Sequence, residues 1–180
     1  MKKSASAILG LFLLIVLFLI TSSCKGKEQK SAPVSGPLPE TAYFVEFVES
    51  QIPTTLKPGE FRKLPITIKN IGDTTWPHQP KPGGGYEVNL AYHWLDDKGN
   101  VIIWDGERTP LPFDLLSGAQ VTLEANVRAP ETPGKSRLQF QMVQELVAWF
   151  GDDKGADTLT ANVEIKGPVP AKKAEKKEEE

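Results

Sequence analysis

Cysteine is nearly absent from this chain: its 180 residues hold one, Cys24. No intrachain disulfide can form, so the fold must rest on its core. Histidine is almost as scarce. His78 and His93 are the only two, and neither has a partner at metal-ligand spacing, which leaves no metal centre to expect. In the stretch 41–166 the only serines are Ser50, Ser117 and Ser136, and none sits in a G-x-S-x-G elbow. That stretch also lacks a basic excess, carrying 12 Lys and Arg against 17 Asp and Glu, a net of −5. Phosphate backbones need the opposite balance, so nucleic acid is not an expected partner. Asp105 and Glu107 flank a loop in the general style of paired glycosidase carboxylates, but solvated loop charges are the simpler reading. These absences point to a protein that is not an enzyme, with no cofactor.

What is present begins with an address. Met1-Lys2-Lys3 is followed by Ile8–Ile20, 13 residues almost wholly of Leu, Ile, Phe and Val, and then by Thr21-Ser22-Ser23-Cys24. A charged start, a short apolar run and a small-residue boundary make a secretory signal. As a helix the run rises about 20 Å, short of the roughly 30 Å hydrocarbon core. Extending it to Ala5–Ser23 gives a full span, so an uncleaved anchor stands as an alternative, as does a soluble secreted form.

Ser22-Ser23-Cys24 resembles the lipobox of bacterial lipoproteins, with Thr21 departing from the aliphatic residue usual at its position. The resemblance implies cleavage before Cys24, a diacylglyceryl thioether and an N-acyl chain on that residue, and stable membrane anchoring. Lys25, with no Asp at that position, favours the outer membrane over the inner in enterobacteria-like sorting. The chain then divides into a signal peptide (1–23), a lipidated Cys with a Pro/Gly/Ser-rich flexible tether (24–40), a domain (41–166) and a disordered Lys/Glu tail (167–180).

The domain reads as short period-2 runs between turn clusters, with no stretch of helical period. Strands are expected over Tyr43–Glu49, Thr54–Glu60 (with a Pro-Gly-Glu turn), Phe61–Asn70, Gln120–Arg128, Ser136–Met142 and Thr158–Ile165. Pro65 cannot donate to a ladder, so its nitrogen should face an edge or a bulge. Seven or more such strands make an all-β, immunoglobulin-like sandwich of about 7–9 strands, long enough to bury a core unaided.

Two hairpins carry an identical tetrapeptide, Asp96-Asp97-Lys98-Gly99 and Asp152-Asp153-Lys154-Gly155. Asp first and Gly fourth fit a three-residue hairpin loop better than a calcium loop, whose alternating acidic spacing is missing. In the first hairpin this register sets Trp94 against Ile102 and Tyr92 against Trp104, which turns Trp104 into the core. In the second it sets Trp149 against Leu159 and Val147 against Ala161, also inward, with a bulge between Gln144 and Leu146 needed to match Leu138, Phe140 and Met142. A first loop of two or four residues would instead swing Trp104 outward beside His93 and Asn89.

Lys69-Asn70-Ile71-Gly72 with Trp76-Pro77, Tyr92-His93-Trp94, Asp105-Gly106 with Arg108-Thr109, Ala129-Pro130 with Pro133-Gly134, and Val143-Gln144-Glu145 with Ala148-Trp149-Phe150 together resemble a known class. They are similar to the Ig-like modules of bacterial envelope proteins and of some bacterial glycosyltransferases and methyltransferases. The N-x-G-x-x-x-W segment is also similar to the four-tryptophan Ig-like domain of autophagy cargo receptors. The resemblance spans about residues 60–165 and implies an accessory, non-catalytic module. The first expectation is therefore a lipid-anchored interaction or assembly component of the cell envelope, with a protein or glycan partner. The alternative is a glycan-binding module using an aromatic and charged rim. Its candidate contacts are His93, Trp104, Asp105 and Arg108, and an exposed Trp104 would favour it.

Overall fold

The computed structural model describes residues 36–168, which fall within one compact unit. The signal peptide, Cys24, most of the tether and the Lys/Glu tail beyond Pro168 lie outside the described residues. After a 3-10 turn over Glu40–Ala42, ten strands and one short α-helix follow in order: β1 (Val45–Ser50), β2 (Thr55–Leu56), β3 (Phe61–Asn70), β4 (Val88–Asp96), β5 (Val101–Ile103), β6 (Thr109–Pro110), β7 (Gln120–Arg128), β8 (Gly134–Gln144), β9 (Ala148–Trp149), α1 (Phe150–Lys154) and β10 (Leu159–Ile165). A three-stranded sheet, β1-β3-β7, packs over a larger one ordered β2-β10-β8-β4-β5, with β6 on β4 and β9 on β8. The chain is an all-β sandwich, as its alternation requires.

Alternation decides which side chains are buried. Leu64, Ile66 and Ile68 of β3 and Leu123, Ala125 and Val127 of β7 face Leu90, Tyr92 and Trp94 of β4 and Leu138, Phe140 and Met142 of β8. Pro65 lies just beyond the last β1 pair, Ser50↔Ile66, so its missing N–H falls where the neighbouring strand has ended. Trp76 and Trp94 are fully buried, and each indole N–H is satisfied, on the Ala42 carbonyl (2.8 Å) and the Arg128 carbonyl (2.9 Å) respectively. Burying an indole of this size contributes roughly 5 kcal/mol of transfer free energy.

The Asn-x-Gly-x-x-x-Trp segment has a physical reason. Buried Asn70 donates to the carbonyls of Thr74 (2.9 Å) and Leu115 (3.0 Å) and accepts from Gly72 N (3.0 Å). Gly72 lies so close to Ala42 that a Cβ would sit 2.5 Å from its carbonyl oxygen. Residues 36–40 at the end of the tether stretch are also fixed. Leu38 is only 4% exposed, and buried Gln144 accepts from Leu38 N (3.0 Å) and Tyr43 OH (2.7 Å) while donating to the carbonyls of Gly36 and Tyr86 (both 3.1 Å).

The two Asp-Asp-Lys-Gly segments diverge. The first is the expected turn: Gly99 has φ 94°, Asp96 N bonds Asn100 O, and the Asp96 carboxylate accepts from Lys98 N and Asn100 N. Beyond the turn the register departs from expectation. Leu95 pairs with Val101 but Trp94 pairs with Ile103, so Ile102 is an extra, bulged residue and every later side chain changes face. Trp104 therefore lies outside the core. The second segment is no hairpin loop: it forms α1, closed by Gly155 at φ 69° with its N–H on Gly151 O. Phe150 pins this helical turn inward, edge-on to both Tyr43 (5.0 Å) and Trp76 (5.2 Å). Trp149 pairs with Val143 rather than Leu159, so β9 and β10 run in line beside β8 with α1 between them. In place of a bulge, a tight turn with Leu146 at φ 63° reverses the chain after β8. Ala148 and Phe150, not Val147 and Trp149, are the buried residues of this segment.

Candidate functional site

The outer face of the large sheet carries an aromatic cluster built from three elements. β4 contributes His93, β9 contributes Trp149, and the bulge at Ile102 within β5 delivers Trp104. The His93 and Trp104 rings stack at 4.2 Å and 22°, His93 and Trp149 are 4.8 Å apart, and Trp149 meets Trp104 edge-on at 5.6 Å. With one face stacked on His93, Trp104 is still 41% exposed, so the opposite face of the indole is open. Trp149 is half-buried, and its ring is covered by the Arg108 guanidinium at 4.7 Å.

His93 itself is fully buried. Its Nδ1 donates to the Trp104 carbonyl, and its Nε2 accepts from Gln141 Nε2 at 2.8 Å. Gln141 is oriented in turn, its Oε1 accepting from Gly151 N (2.9 Å) and its Nε2 also donating to Asp152. This chain of bonds specifies one neutral tautomer. Burial pushes the imidazole below its usual pKa, and Arg108 acts the same way; the Trp104 carbonyl, Asp152 and Asp105 oppose without reversing the shift.

Below the platform the loop between β5 and β6 turns back over β4. Gly106 permits this, since its N–H bonds Tyr92 O and a Cβ there would lie 2.5 Å from that oxygen. Arg108 then reaches Asp105 at 2.6 Å and Glu145 at 2.8 Å, and Glu145 Oε1 also accepts from Asn89 Nδ2 at 3.0 Å. An open cleft of about 550 Å3 adjoins these groups, lined by Glu87, Asn89, Asp105, Arg108 and Glu145 with Gly85 and Leu146 at its lip.

The fold brings together the four residues the sequence offers as contacts: Trp104 as an open ring, Arg108 and Asp105 at the rim, His93 as the support beneath. Trp149, Asn89, Glu87 and Glu145 complete the site; the sequence puts Asn89 beside an outward Trp104 and Trp149 in the core, and gives no sign of Glu87 or Glu145 as contacts. The hairpin that would carry Trp149 into the core does not form. Asn89 did carry a signal, as a polar residue within the largely apolar β4. Among the described residues no cluster of three or more His, Cys, Asp or Glu could hold a metal, and no helix is long and apolar enough to cross a membrane.

No known protein family and no curated protein matches the chain. Solved structures similar to it include a β-glucosidase from Listeria innocua in complex with glucose (18% identity, TM-score 0.41), covering 70% of this chain and 16% of the glucosidase. AvmM, which catalyses macrocyclization in alchivemycin A biosynthesis, aligns over 77% of this chain and 99% of its own at 14% identity and TM-score 0.40. The PapD-like domain 7 of human CEP192 aligns over 79% and 97% at 18% identity and TM-score 0.34. The chain thus spans about a sixth of the glucosidase it matches, and likenesses at these TM-scores carry no argument about ligand or activity.

Proposed function

We propose that this chain is a lipid-anchored binding module of the bacterial cell envelope, held to the membrane through Cys24 and engaging glycan on the Trp104 face. The observation that carries the reading is the open indole of Trp104, backed by His93 and walled by Trp149 and Arg108. Sugar rings present C–H faces that stack on such a surface and hydroxyls that need polar partners around it, and the Arg108–Asp105–Glu145 rim supplies those. The test is a glycan array probed with the full chain and with Trp104→Ala; binding that depends on Trp104 supports the reading.

A second reading, a protein-interaction or assembly role, draws support from a different surface. Phe44, Ile71 and Leu116 are about half exposed, with Ile71 N bonded to Phe44 O and Ser117 Oγ on the Gly72 carbonyl. A blank array together with loss of envelope assembly in Ile71→Lys would favour this reading over the first.

A further inference from the structure

Exposed apolar side chains are concentrated at one end of the sandwich. Ten large ones are exposed among the described residues, and five of them, Phe44, Ile71, Phe113, Leu116 and Leu146, lie where β3 and β8 end and β1 and β7 begin. The two sheets are tied together there by Tyr43 Oη on Gln144 (2.7 Å) and by Val88 N on the Pro77 carbonyl (2.8 Å). All five stand in connecting segments outside the strands, and Leu146, at the tip of its turn, is 84% exposed. Exposed apolar residues scattered singly are ordinary, but a set gathered at one end marks a contact surface. Carboxylates at the same end have partners: Glu40 meets Lys154 (2.8 Å), Asp114 meets His78 (2.7 Å), and Asp73 accepts from the Thr74 hydroxyl (2.9 Å). Between β3 and β4, Lys81 lies over the Tyr86 ring at 3.7 Å, an amphipathic pair of the kind that sits at headgroup level.

The chain also enters the domain at this end. Gln144 holds the Gly36 carbonyl and Leu38 N, which fixes the point of entry. Gly36 is 12 positions after Cys24, a span of at most about 40 Å when fully extended. An anchor so near keeps this end at high effective concentration over the bilayer, so apolar contacts too few to bind alone are enough. We propose that this end of the sandwich rests on the membrane that the Cys24 lipids enter, with the five side chains about 5–10 Å into the headgroup region. This rests on the lipid-anchor reading above and adds the surface that meets the bilayer. The stretch 41–166 carries a net −5, which offers anionic lipid no attraction, so the contact is apolar. The outer face of the large sheet, with Trp104, stays clear of the lipid.

The experiment is fluorescence quenching on the lipidated full chain in vesicles of phosphatidylethanolamine and phosphatidylglycerol, some of whose lipids carry a nitroxide near the headgroup. With Cys24 lipidated, Ile71→Cys, Leu146→Cys and Val101→Cys each offer one free thiol for a polarity-sensitive dye; Val101, 52% exposed at the opposite end, is the control. Dyes on Ile71→Cys and Leu146→Cys should lose most of their emission to the nitroxide lipid while the dye on Val101→Cys keeps its own. Added salt should leave this difference unchanged, because screening does not weaken an apolar contact. A chain that floats with the vesicles but whose three dyes are equally unquenched overturns the inference and leaves the anchor standing. Dyes shielded from aqueous iodide yet untouched by the nitroxide lipid mean that a second copy of the chain covers this end, which also overturns it. A chain that does not float with the vesicles overturns the anchor reading, and the inference with it.

Discussion

The His93 imidazole lies flat beneath the Trp104 indole, 4.2 Å away, and donates from Nδ1 to the carbonyl of that same tryptophan. One buried residue thus holds both the ring and the backbone of the surface residue. Because Gln141 donates to Nε2, the arrangement requires the neutral imidazole.

That requirement has a pH signature. Burial lowers the folded-state pKa of His93 from 6.5, so above pH 6.5 the stabilisation is fully present. As pH falls below that value the unfolded chain takes up the proton first, and stability declines until the lowered folded pKa is reached. The slope from this one group is at most about 1.4 kcal/mol per pH unit. Denaturant unfolding of the wild type and His93→Asn on either side of that window checks it. Identical pH slopes in the two proteins would contradict the neutral support role.

Gly72→Ala places a methyl against the Ala42 carbonyl that also receives the Trp76 indole N–H. Overpacking against backbone at a buried junction is expected to cost roughly 1–3 kcal/mol. Chemical denaturation measures it, and an unchanged midpoint would show that Gly72 is not a close-packed position.

Gln144→Leu removes four bonds at once, leaving Tyr43 OH, Leu38 N and the carbonyls of Gly36 and Tyr86 without their partner. The expected loss is about 2–4 kcal/mol. Amide exchange at Leu38 should speed up selectively if Gln144 is the clamp that seats residues 36–43. Equal acceleration across β3 and β7 would instead mean global destabilisation.

The anchor is checked separately. Cys24→Ala should abolish metabolic palmitate labelling and release the protein from the membrane fraction. Label retained on the variant contradicts lipidation at Cys24.

Period-2 alternation made the sandwich legible, and β3 and β7 begin and end where it placed them. The lone Pro65 and the Asn70–Trp76 segment could likewise be read from local chemistry. The aromatic site could not. Its position depends on one bulged residue, Ile102, and on Phe150 finding a pocket between Tyr43 and Trp76. Neither leaves a local trace: the identical Asp-Asp-Lys-Gly tetrapeptide closes a hairpin in one place and ends a helical turn in the other, because tertiary packing overrides turn propensity. A single-residue slip moved Trp104 from core to surface, and with it the balance between the two functional readings.

Trp104→Ala tests the central claim most directly, measured as glycan affinity alongside thermal stability. The indole is open on one face and lost from the surface, so stability should fall by only about 1–2 kcal/mol. Glycan binding should drop below detection while the fold persists. A folded Trp104→Ala protein that keeps wild-type glycan affinity would contradict the account.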